Sequence, residues 1–359
     1  MAGPGFRGRL TTQGDKMATA PTLKDWQALF RMAQAFRQLA PWEWMEDSDL
    51  VGVQDPATGE IGYLSVLGKL GEALGLVVYP GREGFDSYLK LLGADPEDFE
   101  LDVYIGQRCL TLFFEGREDL SSRDLALIRK LGLRFRGKQA WPKFRSHRPG
   151  YEDWYLDQEE VRYFTVALEQ SLDLATQLRE EPELLEKGPQ GHILVRVLDR
   201  EEGSWEDRWF PEPPPAPLEP VPFVPEGLVS SLKGKPRPRQ GIWEVDVFGL
   251  PAMIRGEKGS PALYAASLLC VHQESGLVLE SSIEPYPTRF ENLAHWFATT
   301  LKESELGWPE EVWVSRPELV AALGGLLGEL GIKLTLVDEL EALEEAKEIL
   351  LGWLESEVS

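Results

Sequence analysis

The chain is poor in cysteine, histidine and long apolar runs, and each scarcity closes off a class of protein. Cys109 and Cys270 are its only cysteines, and each sits in an apolar run, CLTLFF and ASLLCV. Neither has a Cys or His partner at metal-ligand spacing, so a zinc site is not indicated. Both read as buried free thiols, in keeping with a reducing cytoplasm. The four histidines are scattered and show no His-x-x-x-His pair. No apolar stretch approaches the roughly 20 residues needed to cross a bilayer, which argues against a membrane-spanning role. The opening run MAGPGFRGRLTTQGDKM lacks the apolar segment of a secretory signal. It is Gly-rich and slightly basic, so residues 1–20 are expected to be a disordered extension, with Met1 or Met17 as the start.

Basic charge is also short. Lys plus Arg total 37 against 60 for Asp plus Glu, a formal net charge of −23. That field repels phosphate backbones and argues against nucleic acid as a general partner, leaving a protein partner or a small ligand. What is present is ordinary globular material, 43% hydrophobic and 27% charged over 359 residues. At roughly 150 residues per domain, two or three domains are expected.

Residues 21–210 read as an α+β region. Thr22 caps a helix whose apolar positions Trp26, Leu29, Phe30, Ala33 and Phe36 recur at helical spacing. DLVGVQDPATGEIGYLSVLG alternates about an Asp-Pro-x-x-Gly turn and predicts a hairpin. ALGLVVYPG predicts a third strand, EGFDSYLKLLG a helix, and LDVYIGQRCLTLFFEG a strand or pair of strands. SSRDLALIRKLG is a helix capped by Ser121 or Ser122. DQEEVRYFTVALEQSLDLATQLRE is an amphipathic helix with Asp157 and Glu160 placed as a capping box. GHILVRVLDREEGSWEDRWF is a second hairpin, turning at Gly203.

Two features of this region invite a site. In LRFRGKQAWPKFRSHRPGYEDWY, cations interleave with aromatics. Such a pattern can build an anion groove with stacking platforms, with Arg145 and Arg148 as the candidate anion-binding residues. The plainer reading is an ordered loop whose rings pack inward. Asp49, Asp55 and Glu60 flank the first hairpin and suggest a cation, but turn chemistry accounts for them more simply. The Gly-rich run GKLGEALG has neither the Lys-Ser/Thr pair nor the following helix of a phosphate loop.

Residues 211–240 hold PEPPPAPLEPVPFVPEG and then KGKPRPR, and read as a semi-rigid proline-rich linker with a basic end. From residue 241 to 359 the pattern is regular: GIWEVDVFGLPAMI, ALYAASLLCVHQ and LVLESSIEPY as strands, RFENLAHWFATTLKES as a helix, EEVWVSR as a strand, PELVAALGGLLGELG as a helix, IKLTLVDE as a strand and LEALEEAKEILLGWL as a closing helix. The order β-β-β-α-β-α-β-α predicts an α/β domain with a mixed sheet.

This order resembles the ribonuclease-H-like fold shared by nucleases and integrases. WEVDVF resembles the first strand of those enzymes, which carries a catalytic Asp in its middle, and the matched position is Asp246. The resemblance implies a carboxylate cluster holding two Mg²⁺ or Mn²⁺ ions about 3.5–4 Å apart. Asp338 and Glu339 are the candidates for the last acid of such a cluster. The fourth strand departs from the pattern, because Ser315 and Arg316 stand where the second acid belongs. The expectation is therefore a non-catalytic binding protein with a degenerate ribonuclease-H-like domain and no cofactor. The alternative is a Mg- or Mn-dependent phosphodiester hydrolase. The whole chain also resembles a bacterial family of unknown function, through DLVGVQDPATGEIGYLSVLGKLGEALGLVVYPGREGFDSY and the C-terminal pattern, and that resemblance implies no activity.

Overall fold

A computed structural model describes residues 19–71, 73–94, 101–214, 226–233, 237–256 and 259–358. In chain order its elements are α1 (Leu23–Leu39), β1 (Val51–Gln54), β2 (Ile61–Leu67), β3 (Gly75–Pro80), α2 (Gly81–Gly93), α3 (Leu101–Ile105), β4 (Cys109–Glu115), α4 (Ser122–Lys130), β5 (Trp141–His147) and α5 (Gln158–Glu180). They continue with β6 (His192–Leu198), β7 (Trp205–Pro211), α6 (Glu226–Leu232), β8 (Ile242–Ile254), β9 (Leu263–His272), β10 (Leu277–Pro285), α7 (Leu293–Glu303), β11 (Glu311–Val314), α8 (Pro317–Leu330), β12 (Lys333–Leu336) and α9 (Glu341–Val358). The extension at 1–18 and most of the proline-rich run lie outside the described residues. Among the described residues no helix is long and apolar enough to cross a membrane.

The chain divides into two compact units. One comprises Met1–Val78, Leu110–Ser146 and Tyr155–Glu212, the other Tyr79–Cys109, His147–Trp154 and Pro213–Ser359. The second unit thus takes in two segments, 79–109 and 147–154, that lie within the 21–210 region of the sequence reading. Each unit is a mixed sheet with helices packed on it.

The first unit is built on a seven-stranded sheet of order β5-β4-β3-β2-β1-β6-β7. β1 pairs antiparallel with β2 and parallel with β6, and that parallel pair makes the sheet mixed. Its helices start where local chemistry directs. Thr22 accepts from the Asp25 amide while Asp25 accepts from Thr22, Ser121 and Asp124 do the same for α4, and Asp157 and Glu160 for α5. Each reciprocal pair satisfies amides that the first helical turn leaves without partners. The inward stripe of α1, Leu29, Phe30, Ala33 and Phe36, is buried with Phe164, Ala167 and Leu168 of α5. Burial of each large side chain stabilises the unit by about 1.5–3 kcal/mol.

Two assignments change here. LDVYI, expected in a strand, is the short helix α3, and the basic-aromatic stretch, expected as a loop or groove, contains the strand β5. β5 is the terminal strand of its sheet, which is where Pro142 is tolerated, since an edge position spares the amide that proline lacks.

The second unit is built on a five-stranded sheet of order β10-β9-β8-β11-β12. β8, β9 and β10 form an antiparallel meander, and β8–β11 and β11–β12 pair in parallel. β8 alternates strictly at its start. Trp243, Val245 and Val247 face a core shared with Phe297, Leu301, Leu323 and Leu327 of α7 and α8. Phe248 and Leu250 join Leu340 and Leu343 in a second cluster that includes α9. Pro317 opens α8 at its first position and Gly331 closes it in the left-handed conformation, φ 64°. The stretch read as a linker also carries α6, whose Leu232 is buried in this unit's core.

Candidate functional site

The alternation of β8 places Glu244 and Asp246 on the strand face opposite Trp243, Val245 and Val247. Both acids are buried, with 1% and 2% of their surface exposed. Glu244 has a clear task, because its Oε2 accepts the Leu343 amide at 2.8 Å in the first turn of α9. A carboxylate at a helix N-terminus satisfies free amides and meets the positive end of the dipole. Burial nonetheless pushes the Glu244 carboxyl above its ordinary range, and the amides of Leu343 and Ala342 only partly offset it.

Asp246 faces Arg316, which follows β11 and precedes α8. Arg316 Nε lies 3.1 Å from Asp246 Oδ1. Among the described residues Oδ1 receives no hydrogen bond, so the pair is held by charge rather than by a directed N–H···O bond. The other arm of the same guanidinium reaches Asp102 of α3, with Nη2 donating to Oδ2 at 3.0 Å. Asp102 Oδ1 accepts the Gly249 amide at 3.0 Å, and its charge helps to raise the Tyr286 phenol nearby. One cation therefore bridges two carboxylates from separate parts of the unit. Burial drives the Asp246 carboxyl above its ordinary range even though Arg316 and Lys347 pull it down, and the nearby Asp102 charge raises it further. Burial likewise raises the Tyr286 phenol and lowers the neighbouring Arg289 guanidinium.

The other expected acids do not join this cluster. Asp338 and Glu339 are exposed between β12 and α9. Among the described residues no group of three or more His, Cys, Asp or Glu side chains could hold a metal ion. The carboxylate beside Asp246 is Asp102, which the sequence reading did not single out.

The residues expected to bind an anion fall in different units. Arg145 is buried in the first and forms a two-pronged pair with Asp124, Nη1–Oδ1 3.1 Å and Nη2–Oδ2 2.7 Å, with its guanidinium carbon 4.8 Å from the Tyr155 ring centre. Burial would raise the Asp124 carboxyl, but hydrogen bonds from Arg145 and Ser121 hold it below the usual carboxylate range. Arg148 belongs to the second unit and is exposed.

The hairpin acids also serve local structure. Asp55 accepts from the Ala57 amide and the Thr58 hydroxyl, and pairs with both Arg162 terminal nitrogens at 2.7 and 2.6 Å. Asp49 accepts the Glu46 amide.

The basic patch at the end of the expected linker has a structural role that its composition did not disclose. Arg237 donates to the carbonyls of Leu301, Lys302 and Ser304 where α7 ends, and Arg239 to those of Leu330 and Gly331 where α8 ends. Last-turn carbonyls lack helical partners and carry the negative end of the dipole, so cations belong there. The available signal was a pair of arginines beside a domain rich in helix ends.

Residues 26–196 match a family model described as Domain of unknown function (DUF7309), and residues 228–351 match one described as Domain of unknown function (DUF6930). No curated protein matches the chain.

Proposed function

We propose that the chain is a binding protein whose second unit is a ribonuclease-H-like scaffold without the metal chemistry of that fold. The scaffold reading is supported by an antiparallel meander followed by two parallel strands, each reached through a helix, in the order β10-β9-β8-β11-β12. The single observation that carries the non-catalytic reading is the Arg316 guanidinium, 3.1 Å from Asp246 and 3.0 Å from Asp102. A two-metal centre needs several carboxylates converging on a shared pair of cations. Here a fixed cation already stands between the two carboxylates, so the residues present do not fit Mg²⁺ or Mn²⁺. The three side chains instead tie α3 to the sheet.

The net charge of −23 favours a protein partner or small ligand over nucleic acid. The two free, buried cysteines accord with a reducing, cytoplasmic setting. The test is incubation of the purified chain with single- and double-stranded DNA and RNA in the presence of Mg²⁺ or Mn²⁺. The proposal expects no hydrolysis above buffer. Cleavage that disappears in Asp246→Asn would overturn it.

A further inference from the structure

The first unit carries a trough with a volume of about 370 Å³, in the range of small-molecule sites. One wall is a stripe of α1, with Leu23, Trp26 and Phe30 at positions i, i+3 and i+7. A second wall is a stripe of α4, with Arg123, Ala126, Leu127 and Lys130 at i, i+3, i+4 and i+7. Phe144 and Pro142 of β5 also line it. Residues at these spacings share a helix face, so the α4 wall is apolar in its middle and cationic at both ends. Seven residues at 1.5 Å each set the Arg123 and Lys130 backbones about 10 Å apart.

The charges are arranged for an anion. The Arg123 guanidinium carbon lies 3.8 Å from the Tyr155 ring centre, a contact that makes no call on its N–H groups. Arg123 and Lys130 are exposed, and neither forms an ion pair among the described residues. The one acid of the lining, Asp124, is already neutralised by Arg145. The aromatic walls are rigid, since Phe144 packs edge-on against Phe30 at 5.2 Å and tilted against Trp26 at 6.2 Å. The chain's own first residues are a poor occupant by charge: Arg7, Arg9 and Lys16 against Asp15 repeat the sign of the trough's ends.

We propose that this trough binds a small organic acid with an apolar body, a dicarboxylate whose two ends meet Arg123 and Lys130. The site stands apart from the reading of the second unit, and neither depends on the other.

Calorimetric titration of the full chain with decanedioate, decanoate and the dimethyl ester of the diacid tests it. Saturable binding is expected for decanedioate, weaker binding for decanoate and none for the ester. Arg123→Glu and Lys130→Glu should each weaken decanedioate roughly fivefold or more, while Arg129→Glu on the same helix leaves it unchanged. Ala126→Phe, which fills the trough without altering charge, should abolish binding. Melting curves matching the parent show that the variants remain folded. The proposal is overturned if neither acid binds, if the ester or decanoate binds as tightly as the diacid, if Arg129→Glu is as damaging as the other two reversals, or if Ala126→Phe binds normally.

Discussion

Replacing Arg316 by methionine keeps much of the side chain's volume and removes the cation from between Asp246 and Asp102. At 3.1 Å and an effective dielectric near 20, the lost attraction to Asp246 is about 5 kcal/mol. The net cost is smaller, because the arginine side chain is 23% exposed and the stranded aspartate can take up a proton. Removing one partner of a buried pair typically costs 3–5 kcal/mol, and the exposure of Arg316 brings the expectation to about 2–4 kcal/mol at neutral pH. The pH dependence follows from the direction of the Asp246 shift. Its folded-state value is raised above the ordinary 3.8, so the folded chain holds the proton more tightly than the unfolded one. Stability contributed by this group is therefore lost as pH climbs from the ordinary aspartate value through the raised one. Without Arg316 the folded value rises further and the loss deepens. The deficit of Arg316→Met should grow as pH rises above the ordinary aspartate value and shrink as pH falls toward it. Asp246→Asn combined with Arg316→Met should recover part of it, since only Asp102, which keeps the Gly249 amide, is then without its cation. A whole-chain melt mixes two units, so the assay is denaturant-dependent hydrogen exchange of the β8 and β9 amides, which form the core of the second sheet. A variant as stable as the parent at pH 7, a deficit that does not change with pH, or a double variant as weak as the single one would refute the reasoning.

Two further outcomes follow from the same geometry. A Cβ at Gly249 would lie 2.3 Å from Ile105 Cδ1, so Gly249→Ala should cost about 1–3 kcal/mol and accelerate amide exchange in residues 101–109. Cys109 is buried, with its thiol pushed up to about 12, and Cys270 is fully enclosed and raised well above its ordinary value, so native protein should resist iodoacetamide and label only in denaturant; rapid native labelling of either would contradict their placement.

The signals that the sequence carried well were local ones. Thr22, Asp157 with Glu160, the Gly203 turn, and Pro317 and Gly331 at the two ends of α8 each act on their immediate neighbours, and the elements they bound stand where those residues direct. Where tertiary partners decide the outcome, the reading failed. LDVYI is rich in residues that favour strands, yet it forms α3, and Asp102 within it is tied to Gly249 and Arg316. Asp102 and Arg316 are 214 positions apart, beyond the reach of any spacing argument. Arg316 itself was visible as a cation in a carboxylate's place; that it bridges two acids was not. In the basic-aromatic stretch the composition suggested anion binding, but burial of Arg145 against Asp124 spends that cation internally. The pair without acidic partners, Arg123 and Lys130, lies on a preceding helix whose lining stripe becomes apparent only once α1 borders the same trough.

The central claim is that a protein cation holds the ground between Asp246 and Asp102 that a divalent metal would need. Titrating Mg²⁺ and Mn²⁺ into the parent chain by calorimetry tests this directly. The account predicts no saturable heat at millimolar metal. Stoichiometric binding that vanishes in Asp246→Asn and persists in a chain altered at Asp338 and Glu339 would contradict it.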